Sequence, residues 1–89
     1  MIYRVFWSPH AEQRLEELLL ATPDTQRLTA AAREIDKRLV ANPNVFGESR
    51  YDTVRVGYAL PLGVQYEVME DVRTVIVYEV WRIDKKRRT

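Results

Sequence analysis

The last third of the chain most narrows what it can fold into. Val64, Tyr66 and Val68 alternate with Gln65, Glu67 and Met69, the period-2 pattern of a half-buried strand. The polar pair Glu70-Asp71 then interrupts the run. Beyond it, Thr74 to Val80 is dominated by β-branched and aromatic residues, which suit a pleated, well-covered strand. The stretch from Pro61 to Arg82 therefore predicts a closing hairpin. A lone hairpin is at best marginally stable in water, so the residues before it must cover this sheet or extend it.

Those residues supply both. Met1 to Trp7 predicts a strand, with Tyr3, Val5 and Trp7 on one face and Ile2, Arg4 and Phe6 on the other. Ser8-Pro9 predicts a helix start, because a serine hydroxyl can cap and proline lacks only an N–H that the first turn would leave unpaired. Glu12 then sits where a carboxylate favours the positive end of the helix dipole. Ala11, Leu15, Leu18 and Leu19 fall on one face of this helix. Thr22-Pro23-Asp24 breaks it, and Asp24 or Thr25 can cap a second helix running to about Ala41. Leu28, Ala32, Ile35 and Leu39 should face the sheet, with Arg27, Arg33, Glu34, Lys37 and Arg38 outside. Asn42-Pro43 stops that helix, since the residue before proline is pushed out of the helical region.

Asn42 to Gly47 is rich in turn formers and predicts a loop. Glu48-Ser49-Arg50 leads into a further strand, Tyr51 to Leu60. Its pattern places Val54, Val56 and Tyr58 toward the helices and Tyr51, Thr53 and Arg55 on the opposite face. Gly57, and then Pro61 through Gly63, mark a bulge or turn. In the closing hairpin, Tyr78 is expected to face inward. The order is strand, helix, helix, strand, strand, strand. It predicts one α+β domain over residues 1–89, a helical hairpin packed on one face of a mainly antiparallel sheet.

Composition excludes several classes. With 89 residues and no cysteine, the chain has a single modest core, no disulfide framework and no thiolate metal site or nucleophile. No apolar run approaches the roughly 20 residues that span a bilayer, and the N-terminus lacks a signal-peptide layout. A reducing cytoplasm is the expected location, with no membrane partner. One histidine and scattered carboxylates make no metal cluster, and no glycine-rich phosphate loop or Ser/His/Asp set is present; neither metal nor cofactor is expected. The net charge of +1 hides an asymmetry, because Lys85, Lys86, Arg87 and Arg88 are consecutive. Such a tail either contacts phosphates or is a solvated, frayed end.

In element order, size and local motifs, the chain resembles the RelE/ParE toxin superfamily of bacterial type II toxin–antitoxin (plasmid stabilisation) systems. Tyr3 to Ala11 looks like the family's opening strand and helix start. Asn42 to Arg50 resembles its loop entering the second strand, and Pro61 to Val68 with Val77 to Arg82 its closing hairpin. The resemblance covers nearly the whole chain and implies the RelE-like fold. It also implies either a ribosome-dependent mRNA endonuclease (an mRNA interferase) or an inhibitor of DNA gyrase, neutralised by a cognate antitoxin. A degenerate partner-binding module of the same fold is a further alternative, and a homodimer is compatible with the pattern.

Metal-free RNA cleavage needs a proton acceptor, a cation on the phosphate and a proton donor for the leaving oxygen. The resemblance assigns Glu48 as base and Arg82 as phosphate clamp, with Arg55 as a third catalytic candidate. Arg50, Trp81, Lys85, Lys86, Arg87 and Arg88 are candidate nucleic-acid contacts. Glu48 and Arg50 can equally be a strand-entry ion pair, and Trp81 can either stack on a base or close the core. Arg55, Gln65, Glu67, Glu79 and Trp81 are expected to share the face away from the helices. There Arg55, Glu67 and Glu79 form either a carboxylate site or plain cross-strand pairs. His10 reads as a surface helix residue. The pattern also departs from the family: Gly63-Val64-Gln65 stands where many nucleases carry an arginine, and no terminal Tyr or His follows Arg82.

Overall fold

A computed structural model describes residues 2–83. Five strands, β1 (Arg4–Trp7), β2 (Glu48–Tyr51), β3 (Val54–Ala59), β4 (Leu62–Met69) and β5 (Thr74–Arg82), form one sheet in the order β1-β5-β4-β3-β2. Helices α1 (Pro9–Leu20) and α2 (Thr25–Ala41) cover one face, and the short α3 (Pro43–Phe46) closes its β3 side. The α+β class and the helical hairpin are as expected. Antiparallel pairing joins β2, β3, β4 and β5, whereas β1 runs parallel to β5.

The helices start where local chemistry dictates. The Ser8 hydroxyl accepts from the Ala11 N–H, and the Asp24 carboxylate accepts from the Arg27 N–H, so both first turns are capped. Ala11, Leu28, Ala31, Ile35 and Leu39 are buried beneath them. Against these pack Val75, Val77 and Val80 of β5 and Leu62, Val64, Tyr66 and Val68 of β4, every one of them buried. The alternation that marked the closing hairpin is thus the core face of the sheet.

Four expectations need correction. The predicted loop Asn42–Gly47 contains the single turn α3, started by Pro43 with no side-chain cap. The predicted strand Tyr51–Leu60 is two strands, β2 and β3, separated by a turn in which Asp52 takes the left-handed conformation (φ 47°). Asp tolerates that region better than most residues, so no glycine marks the break.

The third correction concerns β3, whose faces are inverted. Its cross-strand pairs Arg55–Tyr66, Gly57–Val64 and Ala59–Leu62 put Arg55, Gly57 and Ala59 on the helix-covered side. Val54, Val56 and Tyr58 lie on the other. The Phe46 ring of α3 fills the space beside Gly57, where an added Cβ would run into it. That absence of a side chain, rather than the run of apolar residues, sets which face is covered. Gly57 itself pairs in register and forms no bulge.

The irregularity sits instead in β5. Gln65 pairs with Glu79 while Tyr66 pairs with Val77, leaving Tyr78 as the extra residue. A bulge redirects the side chain, so Tyr78 faces outward and is exposed, the fourth correction.

Candidate functional site

The sheet's second face has no element over it among the described residues. Cross-strand register lays it out as rows. One row is Phe6–Ile76–Glu67–Val54, the next Glu79–Gln65–Val56–Glu48, and the last Trp81–Gly63–Tyr58. Arg4 and Met69 flank Thr74 at one end. Phe6, Tyr58 and Tyr78 are exposed at 53%, 49% and 39%. An apolar and aromatic surface of this kind, open on a small domain, usually marks a binding face.

Its polar groups form small, separate sets. Glu67 accepts from the Thr53 hydroxyl at 2.6 Å and from the Tyr78 hydroxyl at 3.0 Å. These two donors, Thr53 the stronger, hold the Glu67 carboxyl below its ordinary range. The same contact with Glu67 pushes the Tyr78 phenol up, so Tyr78 stays protonated at neutral pH. Glu79 lies just past the end of β1, where the His10 ring reaches it with Nε2 2.7 Å from Oε2. Both groups are exposed.

Trp81 covers Gly63. A Cβ at that glycine would fall 2.7 Å from the indole, so the close approach needs a residue without a side chain. The Trp81 ring meets Tyr58 edge-on, with centroids 6.3 Å apart and planes at 82°. Trp81 therefore belongs to the open face and does not close the core. Because its indole occupies the space over position 63, a longer side chain there would have to displace it.

The residues expected to act together are dispersed. Glu48 and Arg50 form an exposed ion pair on β2 at 3.5 Å. Arg82 ends β5 opposite Leu62, so two whole strands separate it from Glu48. Three inter-strand spacings amount to about 14 Å. Arg55 leaves the set altogether. Its guanidinium donates to the Asn44 and Gly47 carbonyls, each at 2.7 Å, on the helix-covered side. Beside it the Tyr66 hydroxyl donates to the Pro43 carbonyl at 2.6 Å. Burial raises the Tyr66 phenol, and the Arg55 hydrogen bond and charge only partly offset that. Arg55 and Tyr66 thus clamp α3 to the sheet. The expected cross-strand set of Arg55, Glu67 and Glu79 is not formed, while Gln65, Glu67, Glu79 and Trp81 do share the open face. Lys85, Lys86, Arg87 and Arg88 lie outside the described residues.

Thr53, Tyr58, Tyr78 and the His10–Glu79 contact complete the face and were not among the sequence candidates. Alternation pointed Tyr58 the wrong way, and the Tyr78 bulge follows no glycine or proline. Nothing local pairs His10 with Glu79, 69 positions away.

Chemically, the face offers proton acceptors, one imidazole and an aromatic pair. It offers little to hold a phosphodiester: three carboxylates, Glu48, Glu67 and Glu79, lie in its rows, and its arginines Arg4 and Arg50 sit on the outermost strands. Among the described residues no group of three or more His, Asp or Glu side chains is placed to hold a metal ion. Nor is any described helix long and apolar enough to cross a membrane.

No protein-family model matches the sequence, and no curated protein matches it. Solved structures do match by shape. The RelBE2 toxin–antitoxin complex from Mycobacterium tuberculosis contains a chain with TM-score 0.77 and 16% identity, covering 92% of this chain and 99% of that one. For the intact Escherichia coli RelBE toxin–antitoxin complex the values are 0.64 and 13%, with 93% and 99% covered. The chromosomal ParDE system from P. aeruginosa gives 0.60 and 15%, with 93% and 98% covered. The chain has the fold shared by RelE and ParE toxins.

Proposed function

We propose that this protein is the toxin-like component of a type II toxin–antitoxin pair, that a cognate antitoxin neutralises it, and that it acts by binding a protein target. The fold shared over nearly the full length with chains of toxin–antitoxin complexes supports the first part. The observation that carries the last part is the make-up of the open face. Exposed aromatics there surround Glu67, Glu79 and Glu48, whereas RNA strands require cations for their phosphates. Aromatic-rich, mixed-polarity patches suit protein partners. Gyrase, the protein target of some family members, is the first candidate.

A second reading, mRNA cleavage at the ribosome, rests on the basic run Lys85 to Arg88 and on Glu48, Arg50 and Arg82. In that reading the tail supplies the phosphate contacts that the face lacks, and His10 or Tyr78 supplies the proton.

One experiment separates the two. Induced expression in a bacterium without any antitoxin should arrest growth while mapped transcript ends remain unchanged. New mRNA ends accompanying the arrest would replace the protein-binding reading with the ribonuclease reading. Normal growth at good yield of folded protein would sink both.

A further inference from the structure

The three rows of the open face hold Glu48, Glu67 and Glu79 and not one Lys or Arg. Every described Lys and Arg has its place elsewhere. Arg14, Arg27, Arg33, Lys37 and Arg38 belong to α1 and α2, over the other face of the sheet. Arg27 and Arg33 are exposed on α2, away from the side that Leu28, Ala31, Ile35 and Leu39 bury. Arg55 donates to carbonyls on the covered side, Arg73 lies over the Tyr3 ring, and Arg82 stands opposite the buried Leu62. Among the described residues only Arg4 and Arg50 come to the open side, on its two outermost strands, and Arg50 is paired with Glu48.

Within that cation-poor face one corner is built from two rings and a carboxylate. Glu79 and Trp81 are two residues apart on the same side of β5, so about 7 Å separates their Cα atoms. Across β4, Gln65 faces Glu79 and Gly63 faces Trp81. The indole rests on Gly63, and the Tyr58 ring stands to it at 82°. His10 contacts Glu79 through Oε2, yet the Glu79 side chain keeps 45% of its exposure. Two rings at a right angle therefore meet over a floor without a side chain, with one carboxylate and one amide at their foot.

We infer that this corner is a receptor for an arginine side chain presented by the protein target. A guanidinium laid on the indole meets the negative face of its π system. The same planar fork donates to the Glu79 carboxylate, with the Gln65 carbonyl beside it. Lysine matches the charge but not the plane. A phosphate or carboxylate brought to the face meets Glu48, Glu67 and Glu79 with like charge and is turned away. The inference rests on the protein-binding reading of the open face and adds the chemistry of what is bound.

The test uses the whole chain and three eight-residue peptides, identical except for a central arginine, lysine or citrulline. An eight-nucleotide single-stranded RNA is the fourth probe. In isotopically labelled protein the two indole N–H signals report separately, because Trp7 donates to Asp36 of α2 and Trp81 lies in the corner. The arginine peptide should shift Trp81 and leave Trp7 in place. It should bind about tenfold more tightly than its citrulline twin, with lysine between them. Glu79→Gln should remove most of that preference while the free protein's other signals stay where they are. Trp81→Leu should do the same, and Tyr58→Leu replaces it if that variant does not fold. Equal affinity for arginine and citrulline, a preference untouched by Glu79→Gln, shifts at Trp7 in place of Trp81, RNA binding at Trp81 tighter than the arginine peptide, or no binding of any probe would each overturn the assignment. The two readings fail separately. Growth arrest with intact transcripts and no arginine preference removes the receptor alone, and new transcript ends remove the protein-binding reading even where the arginine peptide binds.

Discussion

The two faces of one sheet are built on opposite terms. The covered face is a continuous apolar layer, in which Val64, Tyr66, Val75, Val77 and Val80 are fully buried under α1 and α2. Even its polar groups serve packing, since Arg55 and the Tyr66 hydroxyl bind backbone carbonyls of the α3 corner. The open face uses the same strands but joins its groups only in twos and threes: Glu67 with Thr53 and Tyr78, Glu79 with His10, Trp81 with Tyr58. One face carries the stability and the other stays open. The glycines make the same point. Gly57 and Gly63 each sit under an aromatic ring, yet one ring packs against Tyr66 and the Arg38 guanidinium and the other meets Tyr58 on the open face.

The contrast can be broken by mutation, and the largest effects should fall on the covered face. Tyr66→Ala removes a fully buried ring together with the hydroxyl that holds Pro43, and should cost about 3–5 kcal/mol in chemical denaturation. A domain this small has little more than that to lose. A cost under about 1 kcal/mol would mean that the α3 corner is not part of the core.

The glycines give a matched pair at intermediate size. Gly57→Ala forces a methyl into Phe46, which is packed between Tyr66 and the Arg38 guanidinium. Overpacking of this kind costs about 1–3 kcal/mol. Gly63→Ala meets only the Trp81 indole, which can swing toward solvent, so its cost should be less than about 1 kcal/mol. Trp fluorescence should change in Gly63→Ala more than in Gly57→Ala. Equal costs would erase the distinction between the two faces.

The smallest stability effects belong to the open-face polar sets. Glu67 titrates below its ordinary range in the folded chain, first through Thr53 and then through Tyr78. Its ionised form therefore stabilises the fold above the ordinary carboxylate value, and that contribution is lost as pH falls through the folded value. Thr53→Val should lower stability at pH 7 by only a few tenths of a kcal/mol, since the site is exposed. The gap to the parent should close as pH falls through the lowered folded-state value of Glu67. A gap that persists in acid would place the Thr53 effect elsewhere. His10→Ala should change stability by about 0–1 kcal/mol, as exposed ion pairs do.

Most of the fold was legible because it was written in period. The helix caps at Ser8 and Asp24, the apolar stripes of α1 and α2 and the alternation of β4 each state a local rule that tertiary packing obeys. What was not legible depended on partners distant in the chain. Val54, Val56 and Tyr58 looked like a core face until Phe46 claimed the space beside Gly57. Arg55 read as a candidate catalytic arginine because a charged residue opposite valines is normally outside. Two carbonyls and a buried tyrosine drew it inward. The bulge at Tyr78 and the His10–Glu79 contact have no local signature, so the most distinctive groups of the open face could be seen only in three dimensions.

We propose that the open face works by contact with a protein. Its most direct test is the double substitution Tyr58→Ala/Trp81→Ala, expressed to the same folded level as the parent, with growth and transcript ends measured together. The parent should arrest growth with transcripts intact, and the double variant, still folded by circular dichroism, should not. Arrest by the variant as strong as by the parent, or cut transcripts with the parent, would contradict it.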